Sequence, residues 1–73
     1  MNLRQRVAQN LKRIRIENGL SQEDLADRAG LNRSYIGMVE RQENSPTVDT
    51  LEALADALQV DAAEFLRADD AGV

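Results

Sequence analysis

Apolar residues recur along this chain three and four positions apart, the spacing of a helix that buries one face, and the strict alternation that marks a strand is missing. Leu3, Val7, Leu11 and Ile14 make the first stripe and predict a helix from Leu3 to Asn18, ended by Gly19 as a left-handed residue. A second helix opens at Ser21, where Asp24 completes a capping box and Leu20 and Leu25 are spaced as a hydrophobic staple. Gly30 stops it after Ala29, since glycine takes a positive φ without steric cost. Asn32 caps a third helix, stapled by Leu31 and Ile36 and continuing to Gln42, with Ile36 and Val39 facing the core. Glu43 to Pro46 reads as a loop because the residue before proline avoids helical angles. Thr47 caps a fourth helix whose Leu51, Leu54, Ala55 and Leu58 share a face. Asp61 with Glu64 predicts a capping box for a short fifth helix, stapled by Val60 and Phe65. From Ala68 onward the chain reads as a frayed tail.

These elements predict an all-α fold, a compact five-helix orthogonal bundle containing a helix-turn-helix. One domain is expected over residues 1–67, with a short flexible tail over 68–73. A chain of 73 residues buries only roughly 60% of its unfolded surface, so its stability margin is small. Repeats and low-complexity tracts are missing from the sequence.

Composition narrows the chemistry. The chain has no cysteine and no histidine, which removes disulfides, thiolate metal sites and most nucleophile and general-base chemistry; no metal and no cofactor is expected. An enzyme would have to rely on acids such as Asp69 and Asp70, which sit in the tail away from any pocket. Neither a membrane-spanning run nor a signal-peptide core follows Met1, so a cytoplasmic protein with no membrane partner is expected. No second domain offers a site for a small-molecule effector.

The net charge of −4 runs against a phosphate-binding role until it is divided along the chain. Residues 1–42 carry eight cations against five acids, a balance of +3, whereas residues 43–73 carry eight acids and only Arg67, a balance of −7. One end can meet phosphate and the other repels it. The basic end also holds the segment Ser21 to Pro46, in which a capped helix, the turn Ala29-Gly30-Leu31 and a second capped helix follow one another. That is the smallest unit that lays one helix across a DNA backbone and the next in a major groove.

The same residues carry a resemblance. The run Gly19-Leu20-Ser21-Gln22-Glu23-Asp24-Leu25-Ala26, the turn Ala29-Gly30-Leu31-Asn32-Arg33-Ser34, Ile36 with Glu40-Arg41, Pro46 with Thr50-Leu51, and Leu54-Ala55 with Ala57-Leu58 resemble the phage repressor (Cro and C1 type) helix-turn-helix family, also called the Xre family. The match covers Val7 to Leu66 and implies a sequence-specific regulator of transcription. Tyr35 within Arg33-Ser34-Tyr35-Ile36, the opening Arg6-Val7-Ala8-Gln9-Asn10-Leu11 and the short length resemble, more narrowly, controller proteins of restriction–modification systems.

In such a unit the leading side chains of the second helix reach base edges, which nominates Arg33 and Ser34, with Gly37 and Met38 one turn later. Arg33 has the fork that grips guanine, and a plain phosphate contact or a solvated surface position is its rival reading. Tyr35 can offer its hydroxyl to phosphate or its ring to a base, against half-burial on the preceding helix. Met38 stands where family members often carry a polar or basic residue; it can meet a thymine methyl or simply fill space. Gln22 at the start of the second helix, Asn32, Arg41, and the loop residues Asn44 and Ser45 are the phosphate candidates. Gln42 stands where the family usually has glycine, and Glu43 where relatives often carry a cation. The resemblance implies a salt bridge between Arg15 and Glu40. It also implies a contact of Glu23 and Asp27 with RNA polymerase, although acids early in a helix are already favoured by its dipole.

One such helix reads too few base pairs to be selective, so a homodimer on a palindromic operator is expected. Leu58, Val60, Phe65 and Leu66 supply the apolar interface, or close the core of the single chain. The competing class is a protein-interaction module, such as an antitoxin, that keeps the fold and grips a partner with its acidic half.

Overall fold

A computed structural model describes residues 2–68 and contains four α-helices followed by a 3-10 helix, with no strand among the described residues. The helices are α1 (Leu3–Glu17), α2 (Gln22–Ala29), α3 (Arg33–Glu40) and α4 (Val48–Leu58), and the 3-10 helix spans Ala62–Leu66. Each α-helix opens on a side-chain cap that satisfies an otherwise orphaned N–H. Asn2 and Gln5 form a reciprocal capping box on α1, and Ser21 and Asp24 form another on α2. Asn32 Oδ1 accepts from the Ser34 N–H at 2.8 Å, and Thr47 Oγ1 from the Thr50 N–H at 3.1 Å.

All four helices end the same way. A residue with left-handed backbone follows, and the next N–H bonds a carbonyl five residues back: Leu20 to Arg15 (3.1 Å), Leu31 to Ala26 (2.8 Å), Glu43 to Met38 (2.8 Å) and Val60 to Ala55 (3.0 Å). Glycine supplies that conformation at Gly19 and Gly30, but glutamine does so at Gln42 (φ 64°) and Gln59 (φ 57°). The expected continuation of α3 to Gln42 is therefore corrected: the helix stops at Glu40, and Gln42 performs the reversal.

The fifth element also differs from expectation. Asp61 accepts from the Ala63 N–H at 2.9 Å, one residue short of a capping box, and the segment coils as a 3-10 helix rather than an α-helix. Asn10 on α1, itself buried, donates from Nδ2 to the carbonyls of Phe65 and Arg67, both at 2.9 Å. These bonds satisfy carbonyls at the end of the 3-10 helix and fasten it to α1.

Val7, Leu11, Ile14, Leu25, Ile36, Val39, Leu54, Leu58 and Phe65 make one core, with Leu11, Leu25, Ile36, Leu54 and Phe65 fully sealed. The first stripe is shorter than its spacing implies, because Leu3 is 58% exposed at the end of α1. Helix α2 packs against α3 and α4, while α1 supports α3 and the 3-10 helix. Among the described residues no helix is long and apolar enough to cross a membrane. Residues 69–73, with Asp69, Asp70 and most of the expected tail, lie outside the described residues.

Candidate nucleic-acid interface

Helix α3 divides its side chains sharply. Ile36 and Val39 are buried to 0 and 1% exposure, which turns Arg33, Ser34 and Met38 to the opposite side. There they line a shallow groove of about 440 Å³ with Gln22, Gly37, Arg41 and Glu43. Six of the residues nominated from the sequence, Gln22, Arg33, Ser34, Gly37, Met38 and Arg41, thus share one surface. Tyr35 is half-buried and packs on the core, in line with the rival reading of that residue.

Beneath the groove lies a polar clamp. Arg15 on α1 donates from Nε to Glu40 Oε2 at 2.7 Å and from Nη2 to Oε1 at 3.0 Å, and its Nη1 reaches the Leu20 carbonyl at 2.8 Å. Their side chains are 11 and 4% exposed. Gln22 adds a bond from Nε2 to Glu40 Oε1 at 3.1 Å. Three helices thereby share one carboxylate, both of whose oxygens are bonded, and this network ties α2 and α3 to α1. The negative charge of Glu40 is neutralised from below before any phosphate approaches from above.

The rim of the groove is laid out by the end of α3. Arg41 folds back so that its Nη1 lies 2.9 Å from where a Cβ on Gly37 would sit. Gly37 leaves room for that guanidinium, although an exposed arginine could shift to admit a Cβ, and glycine costs a helix roughly 0.8–1.0 kcal/mol relative to alanine. Arg41 donates from Nε and Nη2 to both oxygens of Glu43, at 3.0 and 3.1 Å. This contact holds the Glu43 carboxyl below its ordinary range and raises Arg41 above its own. Arg33 Nη1 lies 4.0 Å from Glu23 Oε2 of α2, and the polymerase candidates Glu23 and Asp27 are both exposed.

The remaining nominated residues are not part of this groove's lining, and Ser45 lines a separate cleft with Arg4, Val7, Pro46, Leu51 and Leu66. Asn32 spends its side-chain oxygen on the α3 cap, Asn44 is half-buried, and Ser45 Oγ accepts from Arg4 Nε at 2.8 Å. Arg4 brings a cation from the start of α1 to this loop, a contact across 41 positions that leaves no trace in local sequence. Arg4 is a contributor that residue-by-residue reading passed over, whereas Glu43 already stood out as an acid where relatives often carry a cation.

On the far side, the four expected interface residues separate. Leu58 and Phe65 are corrected to core residues, at 3 and 0% exposure, because α4 packs on α2 and the 3-10 helix, which in turn packs on α1. Val60 is half-buried, and Leu66 is 42% exposed. These last two line an apolar groove of about 560 Å³ with Val48, Leu51, Ala55 and Ala62, bordered by Glu52, Asp56 and Asp61. Val48, 81% exposed, joins them as a residue the sequence reading passed over.

Comparison with known proteins places the sequence and the fold in a family. Residues 11–65 match the family model described as Helix-turn-helix (HTH_3). The chain is 44% identical over 66 residues to control protein C.SmaI of Serratia marcescens, covering 90% of this chain and 79% of that protein. It superposes with a TM-score of 0.91 and 35% identity on a hypothetical transcription factor, NHTF, from Neisseria, covering 97% of this chain and 82% of that one. The restriction–modification controller protein C.Esp1396I, solved as a tetramer in complex with its natural 35 base-pair operator, matches at a TM-score of 0.81 and 37% identity, over 89% of this chain and 86% of that one.

Proposed function

This chain belongs to the Cro/C1-type (Xre) helix-turn-helix family of DNA-binding transcriptional regulators, and from that membership we propose that it acts as a cytoplasmic homodimer on a two-fold symmetric operator, as a controller protein of a restriction–modification system. Helix α3 of each copy enters a major groove. Arg33 and Ser34 read base edges, and Met38 lies against a thymine methyl. Gln22, Asn32, Arg41, Asn44 and Ser45 hold phosphates and so fix the register. A bidentate Arg33–guanine contact contributes roughly 1–3 kcal/mol of discrimination. No step of this function calls for catalysis, a metal or a cofactor.

The observation that carries the reading is the outward face of α3. Its apolar residues are spent on the core, and its polar ones converge with Gln22 and Arg41 on one open groove. The dimer reading rests on the second groove, where Val48, Leu51, Val60 and Leu66 leave an apolar patch separate from the groove on α3. The likeness to a controller protein solved on its operator supports the same division of labour. Glu23 and Asp27 remain the candidate polymerase contact: alanine at both should abolish activation while sparing operator affinity, and unchanged transcription would exclude that role.

Selection of bound sequences from a random duplex pool tests the function. Two inverted half-sites with centres about 34–36 Å apart are expected. A selected pool without symmetry, or no enrichment at all, would contradict the proposal.

A further inference from the structure

Arg41 is the cation best placed at the rim of the groove, yet it enters the free protein already engaged. Its Nε and Nη2 face both oxygens of Glu43 in the forked geometry that a guanidinium offers to a carboxylate or a phosphate alike. We propose that the Glu43 carboxylate occupies, on Arg41, the place a DNA phosphate takes in the complex, so that Glu43 is a built-in competitor that sets the strength and the salt dependence of duplex binding. This rests on the DNA-binding reading above and adds to it a residue that tunes the contact.

Three features place the pair there. The left-handed turn at Gln42, closed by the Glu43 N–H to the Met38 carbonyl at 2.8 Å, brings Glu43 back beside the side chain two positions earlier. Gly37 leaves the space in which the guanidinium lies back along α3. Both members also line the groove with Gln22, Arg33, Ser34 and Met38, so a phosphate seated on Arg41 would meet Glu43 as well. The pair is poorly explained as a strut for the fold. Its side chains are 59 and 54% exposed, and ion pairs in that setting contribute little to stability. An exposed pair is easily exchanged, which suits a contact that must open when DNA arrives.

The consequence is a coupling between two residues. A cation that has given its charge to a neighbouring carboxylate releases less of the DNA counterion atmosphere when it binds, so removing the carboxylate should restore a full phosphate contact. The test is fluorescence anisotropy of the full chain with a duplex of arbitrary sequence and with a selected one, over a range of salt. The variants are Glu43→Gln, Arg41→Ala and the double substitution. Glu43→Gln should tighten binding to the arbitrary duplex about tenfold, the value of one close charge at a surface. It should also steepen the slope of log affinity against log salt by about 0.9. Arg41→Ala should cost more in the Glu43→Gln background than in the wild type, leaving the double variant no tighter than Arg41→Ala alone. An equal gain from Glu43→Gln with and without Arg41 would overturn the proposal, because the acid would then act by general repulsion. Unchanged affinity and slope would overturn it too, with the DNA-binding reading intact. If neither the wild type nor any variant binds either duplex, that reading itself fails and the proposal with it.

Discussion

Two Arg–Glu pairs flank the same helix, and they differ in almost everything except chemistry. Arg15 and Glu40, 11 and 4% exposed, sit under α3 and join three helices, with Gln22 and the Leu20 carbonyl taking further bonds. Arg41 and Glu43, 59 and 54% exposed, sit on the rim of the groove and join residues two apart. Burial decides which job such a pair can do. The enclosed one cannot lose a partner without stranding a charge, so it fixes geometry; the open one exchanges partners with solvent or phosphate. The 3-10 helix repeats the contrast in apolar form, where Phe65 is sealed in the core and its neighbour Leu66 is 42% exposed.

The largest test of this contrast is Arg15→Ala, which should destabilise the protein by on the order of 3–5 kcal/mol in denaturant unfolding, as for a buried pair that loses one member. Glu43→Gln, in the same assay, should change stability by less than about 0.5 kcal/mol. Equal losses would erase the distinction.

Leu66→Asp should leave the single chain folded but weaken self-association by roughly 2 kcal/mol, about thirtyfold, in sedimentation equilibrium. A variant that dimerises normally would move the interface elsewhere.

Gln42→Gly relieves a left-handed non-glycine residue and should stabilise the fold by about 1 kcal/mol in thermal unfolding. Because glycine keeps the left-handed turn that brings Glu43 beside Arg41, the salt slope of DNA binding should stay as in the wild type.

The smallest effect concerns pH. The Ser21 N–H and hydroxyl, with Arg28, hold the Asp24 carboxyl below its ordinary range. Its stabilising contribution is therefore complete above the unfolded value of about 3.9 and is lost as pH falls through the depressed folded value. The difference in melting temperature between wild type and Asp24→Ala should hold steady at neutral pH and shrink under acid. A difference that grows on acidification would reverse the assignment.

Much of the fold was legible because its signals are local. Ser21, Asn32 and Thr47 announce helix starts through their own side chains, and Gly19 and Gly30 announce two of the helix ends. The other two ends were hidden because Gln42 and Gln59 adopt a conformation their residue type does not advertise. The 3-10 helix was mistaken for an α-helix because a capping acid and a staple look alike in both, and the difference lies in Asp61 bonding Ala63. Periodicity marked Leu58, Phe65 and Leu66 as apolar without distinguishing core from surface, a matter for the packed chain. At the candidate site the α3 residues followed from the turn and the caps. The roles of Arg4 and Asn10 did not, since their partners lie 41 and as many as 57 positions away.

The central claim is that the outward face of α3 lies in a major groove with Arg33 on a guanine. Methylation interference on a selected duplex tests it most directly, because guanine N7 lies in the major groove and adenine N3 in the minor one. The account predicts that N7 methylation within each half-site blocks binding and that Arg33→Ala removes the block at one guanine per half-site. Interference confined to adenine N3, or an N7 pattern untouched by Arg33→Ala, would contradict it.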